Sequence, residues 1–216
     1  MRSEDDILDV LYEGTLDGDK EPVVDATKEG IDMGMDPLVL LYDGLIPGLE
    51  EVGRLFEQGT YFVPEMLIAA QAMSGAMEEL KPLLANTGAK PVGTFVMGTV
   101  KGDIHDIGKN LCNIMLEGAG FNVIDLGVNV AEEVFVEAIE EHKPDAIGMS
   151  AFLTTTMPMF IPTIDAIKKA GQRDDLLIFV GGAPVTQEYC DHVGADGYAP
   201  NASALVRVLK EKMGVS

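Results

Sequence analysis

From residue 94 onward, short apolar runs alternate with amphipathic stretches, and few folds accept that order. Thr94–Thr99 reads as a buried strand, Lys109–Ala119 as a helix closed by Gly120, and Asn122–Leu126 as a second strand. A helix over Ala131–Glu141, a strand over Ala146–Ser150 and a helix over Ile161–Ala170 follow. Leu176–Val180 reads as a fourth strand with Gly181-Gly182 behind it, Gly197–Ala199 as a short fifth, and Ala202–Met213 as the last helix. Strands separated by helices return to a sheet by crossovers, so the pattern predicts an α/β domain with a five-stranded parallel sheet. The expected winding is flavodoxin-like (Rossmann-like), with helices on both faces.

The first 85 residues have a different period. Ile7, Leu8, Val10, Leu11 and Leu16 recur at helical spacing, and Pro22–Gly34 reads as a second short helix. Asp36 is placed to cap a third helix with Pro37 in its first turn. That helix carries Leu38, Leu41, Leu45, Leu49, Val52 and Leu55, and Pro47 should bend it. Pro64 opens a fourth, with Met66, Leu67, Ala70, Met73, Met77 and Leu80 on its apolar side. The expectation is an N-terminal four-helix bundle, a linker over Asn86–Pro91, and domains over residues 1–88 and 89–216.

Charge narrows the function classes. Fifteen Lys and Arg against 36 Asp and Glu give a formal charge of −21. Phosphate backbones and anionic membranes would be repelled, so neither nucleic acid nor membrane is an expected partner. The two cysteines, Cys112 and Cys190, form no metal-binding or disulfide pattern. The acidic start MRSEDDILDV does not read as a signal peptide, which predicts a cytoplasmic protein.

In open parallel sheets ligands bind beyond the carboxyl ends of the strands, and the unusual residues of this chain fall there. Strand one runs into Lys101-Gly102-Asp103-Ile104-His105-Asp106-Ile107-Gly108, and strand three into Ser150-Ala151-Phe152-Leu153-Thr154-Thr155-Thr156. Strand four runs into Gly181-Gly182, and strand five into Pro200-Asn201-Ala202. The loop after strand two, Gly127-Val128-Asn129, has no titratable group. A lone loop histidine is most often just solvated. Asp103, two residues before His105, alters the balance, because a carboxylate on one ring nitrogen orients an imidazole for a metal on the other. A single histidine cannot build a protein-only zinc site, so a metal at His105 must bring most of its ligands, as a macrocycle does. Phosphate binding competes, since Gly102 and Gly108 precede a helix, but the loop is neither GxGxxG nor a P-loop, and Asp103 and Asp106 oppose an anion. A phospho-acceptor receiver domain also carries acidic loops here, but it would want clustered Asp at strand one and a lysine after the last strand, and the last strand here has no such lysine. Gly181-Gly182 alone could be any tight turn, and Thr154–Thr156 could merely cap a helix.

Taken together these residues resemble the cobalamin-binding domain family, whose signature is DxHxxG, SxL and GG at set separations. Asp103, His105 and Gly108 match the first element, 41 residues separate Gly108 from Ser150, and 28 separate Phe152 from Gly181-Gly182. Phe152 replaces the family's leucine. The stretch VGRLFEQGTYFVPEMLIAAQAM, residues 52–73, is similar to the helical cap of methyl-carrying corrinoid proteins. The whole chain thus resembles the small corrinoid proteins of anaerobic methyltransferase systems, which share both modules with cobalamin-dependent methionine synthase.

The resemblance implies a cobalamin or related corrinoid, with His105 as the lower axial ligand to cobalt and Asp103 hydrogen-bonded to it. Thr156 stands where a serine completes that relay. The loop residues Gly102, Ile104, Asp106 and Gly108 would lie around the ligand, and Phe152 and Leu153 beside it. Ser150, Thr154, Gly181, Gly182 and Ala202 would border the displaced nucleotide tail. Phe56 and Val63 match cap positions over the reactive face. It further implies a subunit, not a complete enzyme, that accepts a methyl group on Co(I) from a substrate-specific methyltransferase and passes it from methyl-Co(III) to a second one. A reductive activase would be a further partner. Two alternatives share the module: a cobalamin-binding sensor, and the small subunit of an adenosylcobalamin mutase, which does not need the helical cap.

Overall fold

Strands buried on both faces leave little room for polar side chains, and the sheet follows that rule. A computed structural model describes residues 2–87 and 91–215. They divide into two compact units, Met1–Lys90 with Gly118–Gly120, and Pro91–Glu117 with Phe121–Ser216.

The second unit is a five-stranded sheet in the order β2-β1-β3-β4-β5, with every pair parallel. Its strands are β1 (Thr94–Thr99), β2 (Asn122–Asp125), β3 (Ala146–Ser150), β4 (Leu177–Gly181) and β5 (Gly197–Tyr198). Phe95, Val96, Ile147, Met149, Ile178 and Val180 are buried, and apolar runs of this kind are what a sheet covered on both faces requires. The chain leaves β1 toward β2 on one side and later returns to β3 on the other. The crevice where the strand order reverses therefore opens between the carboxyl ends of β1 and β3.

The first unit contains the helical rods expected from its period: α1 (Glu4–Asp17), α2 (Lys20–Asp32), a segmented third rod, and α5 (Val63–Thr87). Ile7, Leu11, Val23, Ala26, Leu45, Val52, Met66, Met73 and Leu80 are buried. Ser3 and Asp6 form a reciprocal capping box at the start of α1, and the Asp36 side chain accepts from Leu38 N–H at 2.9 Å. The rods pack closely where a side chain is missing: a Cβ at Gly48 would sit 2.7 Å from the Tyr12 carbonyl oxygen.

Three local expectations need correction. The third rod does not merely bend at Pro47. It runs as α3 (Pro37–Val39), a π-helical turn (Leu40–Leu45) and α4 (Ile46–Glu57), and Ile46 N–H donates to Leu41 O five residues back. Proline has no N–H to offer the carbonyl four residues earlier, and the wider turn just before it absorbs the mismatch. The linker expected over Asn86–Pro91 begins later, because α5 continues through Thr87; residues 88–90, and with them the expected 88/89 boundary, lie outside the described residues. A seven-residue helix, Gln187–Val193, stands between β4 and β5, in a stretch to which the sequence pattern assigns no element. The remaining helices of this unit are Ile107–Gly118, Glu132–His142, Phe160–Lys169 and Ala202–Met213.

Candidate functional site

Asp103 is the centre of the crevice. It has no exposed surface and accepts five hydrogen bonds. Oδ1 receives the His105 backbone N–H at 3.0 Å and faces His105 Nδ1 at 2.7 Å. Oδ2 receives Phe152 N–H at 2.8 Å, Leu153 N–H at 3.3 Å and the Thr156 hydroxyl at 2.5 Å. One carboxylate thus joins the loop after β1 to the loop after β3. Burial pushes its pKa up, but the hydrogen bonds from Thr156, from the His105 backbone and ring, and from Phe152 outweigh that. They hold the carboxyl well below the usual carboxylate range. An ionised Asp103 accepts a hydrogen bond from Nδ1–H, so Nε2 is the ring nitrogen left with a lone pair for a metal.

The His105 ring is half exposed, and Phe152 stacks on it with centroids 4.4 Å apart and planes 27° from parallel. The loops after β1, β2 and β3 and the helix start at Ile107 carry apolar side chains, Phe152 among them, that the fold leaves uncovered. Ile104 is 74% exposed, Ile107 71% and Phe152 51%, and Leu153 and Val128 are also open. Isolated apolar side chains on a surface are ordinary, but five of them at the sheet edge that carries one oriented imidazole suit a flat, largely apolar ligand with a metal at its middle.

The carboxyl ends of β3 and β4 bring another group together. Ser150 is in register with Gly181, and Ala151 N–H donates to Gly181 O at 3.0 Å. A Cβ at Gly181 would meet nothing within 4 Å, and the same holds at Gly108, so both leave open space for a ligand beside the backbone. Gly182 is a different case. It has φ +128°, and a Cβ there would lie 1.9 Å from Ala151 O, so the close passage of the two strand ends dictates this glycine. Gly102, with φ +83°, turns the chain out of β1. Asp106 is exposed and accepts from the Asn110 side chain at 3.1 Å. Thr154 lies exposed in the turn after β3, and Ala202 is buried as the first residue of the last helix, behind the Asn201 cap. Phe56, half-buried near the end of α4, and Val63, exposed at the start of α5, belong to the helical unit.

Sequence reasoning missed the residues that brace this loop from the side. Thr99 Oγ1 donates to His105 O at 3.1 Å. Asn129 Oδ1 accepts from Gly102 N–H at 2.8 Å, and Asn129 N–H donates to Asp103 O at 2.9 Å. Lys109 is buried, with Nζ 2.5 Å from Asp125 Oδ2 and 2.7 Å from Asn110 Oδ1. The only available signal was Asn in a glycine-bearing turn, a residue that tolerates the left-handed conformation.

With this geometry in hand, two family models, both described as B12 binding domain, match residues 93–207 and residues 7–81. The chain is 42% identical to trimethylamine corrinoid protein 1 of Methanosarcina acetivorans, over 95% of this chain and 96% of that one. It is 41% identical to dimethylamine corrinoid protein 1 of the same organism, over 97% and 98%. Its fold matches the methanol:cobalamin methyltransferase complex MtaBC from Methanosarcina barkeri with a TM-score of 0.85 and 30% identity, covering 99% of this chain and 82% of that one.

Proposed function

Because this chain belongs to the B12 binding domain family, we propose that it is the corrinoid-carrying subunit of a methyltransferase system of the methylamine class. The observation that carries the reading is the His105 imidazole, held by an ionised, buried Asp103 with Thr156 behind it, at the crevice between β1 and β3. The residues fit the group: one free imidazole nitrogen, a surrounding apolar surface, and open space at Gly108 and Gly181. When bound, the corrinoid supplies the cobalt that takes a methyl group from a substrate-specific methyltransferase and yields it to a second one. No helix among the described residues is long and apolar enough to cross a membrane, and the proposal places the carrier in the cytoplasm.

The chain's own residues do the rest. Asp103 accepts from Nδ1–H and so would leave Nε2 free to hold the cobalt. The Thr156 hydroxyl donates to Asp103 Oδ2 and makes a route by which a proton can enter or leave the pair as the demand on the imidazole changes. Ser150, Thr154 and Gly181 border the nucleotide tail. Phe56 and Val63 would be the apolar cap residues for the bound corrinoid. The methylamine class is supported by relatives named for trimethylamine and dimethylamine at 42% and 41% identity, against 30% for the methanol complex. A reductive activase would be a further partner of the carrier.

The test is reconstitution with hydroxocobalamin, removal of the excess, and an absorption spectrum. About one corrinoid retained per chain, with a histidine-ligated spectrum that His105→Ala abolishes, is the expected result. A folded wild-type chain that retains none, or a variant with an unchanged spectrum, overturns the reading. Methyl transfer from trimethylamine, dimethylamine or methanol with the matching methyltransferases then assigns the donor.

A further inference from the structure

The segment that carries His105 is gripped at both ends by one neighbouring loop. At its start, Asn129 holds Gly102 and Asp103 through the two hydrogen bonds described above. At its end, Lys109 enters the first turn of the helix Ile107–Gly118, where its buried ammonium pairs with Asp125. Asp125, the last residue of β2, and Asn129 are the two ends of a single five-residue stretch. That stretch is itself fixed: Asp125 Oδ1 accepts from Gly127 N–H at 2.8 Å, Gly127 O accepts from Thr99 N–H at 3.0 Å, and Val130 N–H donates to Thr99 O at 2.9 Å. Asn129 holds φ +53°, a conformation that side chains other than Asn, Asp and Gly adopt at a cost. Its side chain is exposed, so neither packing nor the helix that follows needs an asparagine there. What does need it is the Gly102 N–H, the amide at the point where the chain leaves the sheet toward His105.

We infer that Asn129 is a positioning residue: from the loop after β2 it sets the height and direction of the His105 segment, and so the place at which Nε2 meets the metal. It acts through Gly102 and Asp103 and does not touch the imidazole. The inference rests on the reading of His105 as the cobalt ligand. A free loop of seven residues, 100–106, would have to be ordered each time a ligand entered, whereas a segment braced at both ends presents the imidazole already placed.

Two substitutions separate the acceptor from the backbone. Asn129→Gly keeps the left-handed conformation without strain and removes the acceptor, and Asn129→Asp keeps both. In the cofactor-free protein, Asn129→Gly should speed hydrogen exchange at the Gly102 amide by about tenfold, the worth of one hydrogen bond. In the protein loaded with cob(II)alamin, electron paramagnetic resonance should show the histidine-ligated fraction reduced by about half or more in Asn129→Gly and close to wild type in Asn129→Asp. Asn129→Gly matching the wild type in both readouts would overturn the inference, and so would the two variants failing alike. A wild-type protein with no histidine ligation would instead overturn the reading of His105, and this inference with it.

Discussion

The two units of this molecule are held by different means. The helical unit is ordered by apolar side chains at regular spacing, with glycines where its rods come together, and side-chain hydrogen bonds such as those of Arg2 with Glu29 and of Glu65 with the Phe62 amide lie on its exposed surface. The α/β unit has an apolar sheet as well, but its functional edge is ordered by one buried carboxylate and five donors. Apolar packing is tolerant of exchange and fixes position loosely, whereas a satisfied polar network fixes direction and fails sharply when one member is removed. On the proposed function, the imidazole of His105 needs direction, whereas apolar cap residues need only bulk and dryness.

The contrast can be broken at its strongest point. Asp103→Ala strips the acceptor from three backbone amides, a hydroxyl and an imidazole at once, and should cost about 3–5 kcal/mol in urea denaturation of the α/β unit. A cost below about 1 kcal/mol would show that the network is ornament. In the helical unit Leu11, fully buried, should cost about 2–4 kcal/mol as alanine and leave any histidine-ligated spectrum intact. A changed spectrum would show that the two units are not separable in this way.

Smaller effects sharpen the picture. Thr156→Val removes the hydroxyl to Asp103 at nearly constant volume and should cost about 1–2 kcal/mol, whereas Thr156→Ser should stay within about 0.5 kcal/mol. The Asp103 carboxyl, depressed in the folded chain, contributes stability that is complete above its unfolded value near pH ~3.9. That stability should drain away only as the pH falls from there toward the lower folded value. Acid titration of Asp103→Asn should lack this component. The smallest expected effect concerns Cys112. Burial pushes its thiol up to about 12, with Lys109 pulling weakly the other way. Iodoacetamide at pH 8 should therefore leave it unmodified in the native protein and alkylate it in urea. The raised value also means that its contribution to stability, whole below pH ~8.5, falls as the pH rises from there toward 12.

Legibility in the sequence follows the same division. The strands Thr94–Thr99 and Ala146–Ser150 and the helix Ala202–Met213 were readable to the residue, because a strand buried on both faces is an uninterrupted apolar run and Asn201 marks the helix start. The π turn before Pro47 was not, since leucines three and four apart suit a π turn as well as an α turn over six residues. The helix Gln187–Val193 was hidden by its length and by burying only Cys190 and Val193 behind a Gly-Gly-Ala-Pro stretch. At the site, Asp103 and His105 declare themselves by spacing. Asn129 does not, because its part lies in a backbone conformation and in two amides of another loop. Nor does Lys109, a residue type rarely buried, which goes inside only because Asp125 meets it.

The claim on which everything else depends is that a nitrogen of this chain, and not the cofactor's own base, binds the cobalt. Protein grown with 15N-histidine and loaded with natural-abundance cob(II)alamin decides it by electron paramagnetic resonance. A 15N nucleus splits each cobalt line into two and a 14N nucleus into three. Doublets that vanish in His105→Ala are the predicted result; triplets in the labelled wild-type protein would contradict the account.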